Sequence, residues 1–490
     1  MSFVSFEFVA FFAAVIVGLA LMPTSGTRLV LLLIANVVFY GAGTPSFLVV
    51  LAIPSLVDYA CAIRMEAATD DTSRRRWLLL SLITNLGILV YFKYANFFID
   101  TVAALLQVRT VPLDVVLPVG ISFFTFKTMS YTIDVYRRQL PASRSWWRYA
   151  MFVSFFPELV AGPIVRASVF LPQMDRPIRL QWHRITSGAR IVLVGVTKKL
   201  LIADRLSSYV DAVFAAPNAF SPGAVASAVV AYSIQIYCDF SGYSDMAVGI
   251  ARMIGFDLPM NFDMPYVARS IAEFWRRWHI TLSQWLRDYL YIPLGGNRRG
   301  RSRTYVNLLI TMLLGGLWHG ASWTFVLWGL WHGLGLAAHK IWTEVRGPRA
   351  TPRSASVITT PIAWATTYVF VCLGWVLFRS PDLATAAVIF RKLAGLAPGG
   401  IAWSYAPVYI FAALLAFAHA IGMAHHSKNS GAGSAPTQTG HTAHGAHTAP
   451  PAYATVTRPV FVSAFVLTVW LLMLYLFIPL HRSPFIYFQF

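Results

Sequence analysis

Two histidines, His319 and His332, stand in the stretch GGLWHGASWTFVLWGLWHG that begins at Gly315, each after a tryptophan and before a glycine. A third, His279, follows Trp278 in the stretch FWRRWHITLSQW. An imidazole with an ordinary pKa of about 6.5 can take a proton from a hydroxyl at neutral pH, so the chemistry on offer is base-assisted transfer to an alcohol. An ionisable ring within an apolar run must be solvated by protein or water, and by default it marks a functional site. The competing reading is a satisfied packing histidine beside a glycine that lets a second helix come close. Packing suits His332 and His339; catalysis suits His319. Gly315 and Gly316 precede His319 and Gly320-Ala321-Ser322 follow it. Glycines weaken a helix by roughly 1 kcal/mol each, which predicts a broken helix where the chain lines a cavity. Were residues 315–333 one continuous helix, the two rings would lie ~20 Å apart, and at most one could be the reacting group.

The elements that must hold these rings are membrane helices. The 490 residues are 57% hydrophobic and only 12% charged, against roughly a quarter charged in soluble domains. Apolar runs near the ~20 residues that cross hydrocarbon recur at 8–22, 29–40, 47–63, 77–92, 357–378, 408–423 and 460–480. The expected fold is all-α: a polytopic membrane protein of about eleven transmembrane helices, with short re-entrant or in-plane helices. We expect one domain over residues 1–490, with its core at about 90–340. Residues 8–22 are expected to be a retained helix rather than a signal peptide, because no basic segment precedes them and no small-x-small site follows.

The net charge of +19 has a topological cause, since basic residues collect in cytoplasmic loops. Clusters such as Arg74-Arg75-Arg76, Lys198-Lys199 and NRRGRSR at 297–303 follow that rule, and none is interleaved with stacking aromatics on a soluble module, so no nucleic-acid partner is expected. The same rule makes 66–77 and 340–353 cytoplasmic and both termini external. Residues 424–458, rich in Gly, Ser, Thr, Ala and Pro, cannot bury a core and are expected to be a flexible cytoplasmic loop. Five histidines there lack carboxylate or cysteine partners at a fixed spacing, so no metal site is expected. Residues 271–300 interleave charges with Trp275, Trp278, Trp285, Tyr289 and Tyr291, a mixture suited to an interfacial helix or one lining a wet cavity. Three cysteines, Cys61, Cys238 and Cys372, offer no disulfide framework.

An ordered set of motifs accompanies the histidines: YFKYANFF (91–98), LPVGISFFTFKTMSYTIDVYR (117–137), FFPELVAGPIVR (155–166), YCDFSGYSDMAVGIARMIGF (237–256) and NFDMPYVARSIAEFWRRWHITLSQWLRDYLYIPLGGNRRG (261–300), with FIYFQF at the end. The set resembles the membrane-bound O-acyltransferase family, and within it the bacterial alginate O-acetyltransferase branch. The resemblance implies that the helices surround a central tunnel, that His319 is the family's catalytic histidine and that His279 is the second polar residue across that tunnel. It implies acetyl-CoA as cytoplasmic acyl donor with no bound cofactor. The multi-pass protein would sit in the inner membrane, and a periplasmic acetyltransferase partner or an exopolysaccharide would receive the acyl group.

On that reading His319 is the general base, and His279 orients the acceptor or meets developing charge. Trp318, Trp323, Trp275, Trp278, Tyr237, Asp239 and Ser241 would line the tunnel. Arg276 and Arg277 would meet coenzyme A phosphates or serve as positive-inside anchors. An acyl-cysteine at Cys238 is the rival mechanism, disfavoured because Asp239 adjoins it and no histidine does. The rival functions are D-alanyl transfer to a cell-wall polymer and a transporter, the latter lacking the internal repeat such folds show.

Overall fold

The computed structural model describes residues 1–159, 162–347 and 359–430, with 468, 470, 472 and 483–485. Helices α1 (Phe6–Leu21), α2 (Ser25–Gly41), α3 (Phe47–Ala67) and α4 (Asp71–Leu89) follow one another, and α4 continues through a π-helical turn at Val90–Tyr94 into α5 (Ala95–Leu106). Next come α6 (Ile121–Tyr136), α7 (Trp146–Ser154), and the short α8 (Phe156–Leu159) and α9 (Ala167–Phe170). The centre of the chain forms α10 (Trp182–Val196), α11 (Asp204–Ala215) and α12 (Pro222–Ile254). After these lie α13 (Ile271–Arg277), α14 (Ile280–Leu286), α15 (Arg301–His319), α16 (Trp323–Arg346), α17 (Thr359–Arg379), α18 (Leu383–Leu393) and α19 (Ala406–Ser430). No strand occurs among the described residues, and the architecture is all-α.

Five helical stretches among the described residues are long and apolar enough to cross a membrane: Phe47–Ala67, Asp71–Leu106, Pro222–Ile254, Thr360–Arg379 and Ala406–Met423. α1 and α2 are shorter apolar helices. The starts are capped by side chains: Thr24 and Thr27 form a capping box on α2, Asp70 accepts from Ser73 N–H on α4, and Ser221 accepts from Ala224 N–H on α12.

α4 shows which solvent the fold is built for. Its outward side carries Leu79, Leu80, Ile83, Leu86 and Val90, all exposed, while Arg74, Ser81 and Asn85 are buried. A helix in water arranges these faces the other way round. Inside, Ser81 Oγ donates to Asp58 Oδ1 at 2.7 Å and Asn85 Nδ2 donates to both Asp58 oxygens at 2.9 and 2.8 Å. Thr128 Oγ1 donates to Asn85 Oδ1 at 2.8 Å, which ties α3, α4 and α6 together. Apolar side chains face lipid and polar ones face protein, as a membrane-embedded helix requires.

α12 is the central post and is buried along most of its length. It admits α10 at close range because Gly195 meets Gly242 and Gly188 meets Gly249, each lying where a Cβ would press on the opposite backbone. Charges beside α12 are paired: Lys199 bridges Asp239 at 2.6 Å and Asp204 at 2.8 Å, and Lys198 meets Asp245 at 2.7 Å.

Two expectations are corrected here. Residues 271–300 are not one helix: α13 stops at Arg277, α14 starts at Ile280, and a π-helical turn at Arg287–Tyr291 leads into turns. Residues 424–430, expected to begin a flexible loop, complete α19. The rest of that loop and nearly all of the run at 460–480 lie outside the described residues.

Candidate active site

The anticipated break falls after His319, not before it. α15 runs unbroken through Gly315 and Gly316 to His319, residues 320–322 reverse the chain, and Ser322 caps α16. The two glycines are explained by contact rather than by breakage. A Cβ on Gly316 would strike the Phe325 carbonyl, and one on Gly329 the Met312 carbonyl, so this pair lets α15 and α16 close as a tight hairpin. Closure undoes the ~20 Å separation of a single helix. The Trp328 ring lies 4.9 Å from that of His319 and 4.8 Å from that of His332.

His319 is 3% exposed, and its ring is walled by Trp318 at 5.0 Å, Trp328 at 4.9 Å and Phe378 at 5.2 Å. Its backbone is held from another part of the chain. Lys93 Nζ, in the π-helical turn between α4 and α5, donates to the Trp318 carbonyl at 2.6 Å, the His319 carbonyl at 3.2 Å and Ser122 Oγ at 3.2 Å. Tyr94 Oη donates to the Leu317 carbonyl at 2.8 Å. These are the last carbonyls of α15, which have no intrahelical partner, and a cation there also suits the negative end of the helix dipole.

His279 reaches the same place from the break between α13 and α14. Its backbone is left-handed (φ 42°, ψ 55°), a conformation that costs a non-glycine residue roughly 1–2 kcal/mol. Two backbone hydrogen bonds hold it there, Ile280 N–H to the Asn261 carbonyl and Asp263 N–H to the Arg277 carbonyl, both 2.9 Å. The ring is fully buried, 4.7 Å from Phe240, 5.9 Å from Trp318 and 6.5 Å from His319. A 6.5 Å separation of centroids is too wide for a direct hydrogen bond. It leaves room between the rings for an acceptor molecule that hydrogen-bonds a nitrogen of each at ~2.8 Å.

Of the other expected lining residues, Trp275 and Trp278 are buried next to this pair. Trp275 lies 5.8 Å from Trp328 and 5.3 Å from His332, and Trp278 lies 4.9 Å from Trp375. Tyr237 packs 6.4 Å from Trp278 and carries the Lys198 ammonium 5.6 Å over its ring. Ser241 is buried on α12. Asp239 is engaged by Lys199 at 2.6 Å. Trp323 is half exposed and packs 5.6 Å from Phe97. Its place at the first turn of α16 turns it away from Trp328, more than a turn further on. Arg277 is held by Asp263 at 3.0 Å and Glu273 at 3.2 Å, whereas Arg276 is exposed. Cys238 is buried and free.

His332 is fully buried, and neither ring nitrogen has a hydrogen-bond partner among the described residues; the indole N–H groups of Trp275 and Trp328 beside it share that state. It is therefore not the satisfied packing histidine that sequence suggests. Lys93 and Asn261 escaped the sequence reading. The signal for Lys93 is a lone cation inside an otherwise apolar run, which must find protein partners. No group of three or more metal-ligating side chains occurs among the described residues.

Comparison with known proteins bears on the same region. The model of the family described as MBOAT, membrane-bound O-acyltransferase, matches residues 32–380. The chain is 40% identical over 401 residues to the probable alginate O-acetylase AlgI of Pseudomonas aeruginosa, covering 80% of this chain and 75% of that protein. It is 37% identical over 391 residues to the peptidoglycan O-acetyltransferase of Helicobacter pylori, covering 74% and 73%. A teichoic acid D-alanyltransferase of Streptococcus thermophilus is 28% identical over 241 residues, covering 46% and 57%. With its lipid-facing apolar helices and this match over most of its length, the chain belongs to the membrane-bound O-acyltransferase family and is an O-acyltransferase.

Proposed function

We propose that the protein moves an acetyl group from acetyl-CoA on the cytoplasmic side to a hydroxyl on the outer side, with His319 at the reacting oxygen and His279 beside it on the same acceptor molecule. The observation that carries this reading is the 6.5 Å spacing of two buried imidazoles delivered by separate chain segments. A nitrogen of His319 takes the hydroxyl proton while the oxygen attacks the thioester carbonyl carbon. The tetrahedral intermediate then expels the thiolate as the C–S bond breaks, and the imidazolium returns its proton to that sulfur. Cys238, without a base beside it, is not needed as an acyl carrier.

About eleven spans around a tunnel, in the inner membrane, would let donor and acceptor reach the rings from opposite faces. Acetylation of a polymer is favoured over D-alanyl transfer because the acetyltransferase relatives match a larger share of the chain at higher identity. Alginate and peptidoglycan are the polymers those relatives are named for. The acceptor would be such a polysaccharide or a periplasmic acetyltransferase that passes the group on.

The test is thiol release from acetyl-CoA by purified protein in lipid nanodiscs, with an acceptor polysaccharide present. Replacing His319 with Ala should lower turnover by about 10²–10⁴-fold. Unchanged turnover in that variant would end the proposal.

A further inference from the structure

We infer that Asn261 is a positioning residue that fixes the tautomer of His279, so that His279 meets its ligand as a hydrogen-bond acceptor. The inference rests on His279 belonging to the active site proposed above, but its argument concerns only the direction of four hydrogen bonds. The Asn261 Oδ1 atom receives the backbone N–H of Thr281 at 3.3 Å, the Thr281 hydroxyl at 2.9 Å and His279 Nδ1 at 3.1 Å. A backbone N–H can only donate, so the atom it meets must be the amide oxygen and not the amide nitrogen. On its other side Asn261 Nδ2 lies 3.3 Å from Ser244 Oγ on α12, which can accept. With the amide oriented in this way, His279 Nδ1 must carry the proton to donate.

A neutral imidazole holds one N–H, so Nε2 then carries the lone pair. That nitrogen is buried without a hydrogen-bond partner among the described residues. A buried acceptor left without a donor is costly in a resting protein, which suits a group completed by its ligand. The consequence separates the two roles open to His279. In this tautomer Nε2 cannot donate to an oxyanion; it accepts from an N–H or O–H of the incoming molecule. The acceptor substrate should therefore present a hydrogen-bond donor beside its reacting hydroxyl, as a sugar with neighbouring hydroxyls does. Asn261 also holds the backbone, since its carbonyl accepts from Ile280 N–H at 2.9 Å, and that bond survives any change of side chain.

Solid-state NMR of nitrogen-15 histidine-labelled protein in nanodiscs reads the tautomer directly, with the His279 signal assigned by its loss in His279→Gln. We expect a protonated Nδ1 and a bare Nε2 in the unaltered protein; a protonated Nε2 overturns the inference whatever the variants do. Asn261→Leu should lose the preference and lower kcat by about 10²-fold with KM within about threefold, the scale of a misplaced acid–base group. Asn261→Asp keeps an acceptor facing Nδ1 and should restore kcat to within about tenfold of the original. Equal loss in both variants, or no loss in Asn261→Leu, also overturns it. Should His279→Gln keep full activity while the tautomer is as stated, the active-site reading fails and the hydrogen-bond assignment stands.

Discussion

Replacing Gly316 with Ala tests whether the α15–α16 hairpin places the His319 ring for the proposed reaction. The new Cβ would sit well inside ordinary contact with the Phe325 carbonyl and 3.1 Å from Gly329 Cα, and a backbone carbonyl cannot swing aside. Restoring carbon contacts of about 3.5 Å requires the two helices to part by on the order of 1 Å. His319 lies three residues further along α15, and Trp328, which walls it at 4.9 Å, adjoins Gly329 on α16, so the wall moves away from the ring by a similar amount. Overpacking of this kind costs about 1–3 kcal/mol, and a 1 Å displacement at a reacting centre can cost about 10²-fold in rate. Gly87→Ala is the control. Its Cβ meets nothing within 4 Å, so on helix propensity alone it should leave activity unchanged and stability equal or raised by up to about 1 kcal/mol. Thiol release and thermal unfolding in nanodiscs measure both quantities. A Gly316→Ala protein with turnover within threefold of the original and an unchanged Tm would refute the close-packing argument.

Three further outcomes follow from the same geometry. Lys93→Met strips the last α15 carbonyls of a charged donor worth about 1.5–3 kcal/mol per bond; we expect a lower Tm and at least about tenfold slower turnover, and normal values for both would show that the cap does not hold His319. Trp323→Ala should leave turnover within about twofold because the ring faces outward onto Phe97, and a large loss would return Trp323 to the tunnel wall. His332→Leu removes two buried unpartnered nitrogens, each costing about 1–3 kcal/mol; Tm should hold or rise with acetyl transfer retained, whereas abolished transfer would move the reacting group to position 332.

The apolar runs were legible in sequence because length and composition are local properties; the runs at 8–22, 47–63 and 408–423 correspond to α1, α3 and α19. The turn after His319 was legible for the same reason, since Gly320-Ala321-Ser322 disfavours helix continuation. Which way a side chain points was not. Trp318 and Trp323 look alike in sequence, yet one is buried against Phe123 and the other faces outward. Gly316 read as a helix breaker because propensity says nothing of a second helix 13 residues on whose own Gly329 completes the contact. Lys93 and Asn261 reach the two histidines only through folding, Lys93 from 226 positions away. The pairing of Asp239 with Lys199 was equally hidden, because the lysine comes from the turn after α10.

The continuous helical stretch that carries Lys93, Asp71–Leu106, is 36 residues long. At 1.5 Å per residue its apolar part, from Trp77 on, measures ~45 Å, longer than the ~30 Å of hydrocarbon that a spanning helix crosses. Such a rod settles by leaning, and the angle it takes follows membrane thickness. Since the ammonium on that rod holds the Trp318 and His319 carbonyls, a change of tilt would be carried to the backbone of His319. Turnover in nanodiscs should then vary with lipid chain length.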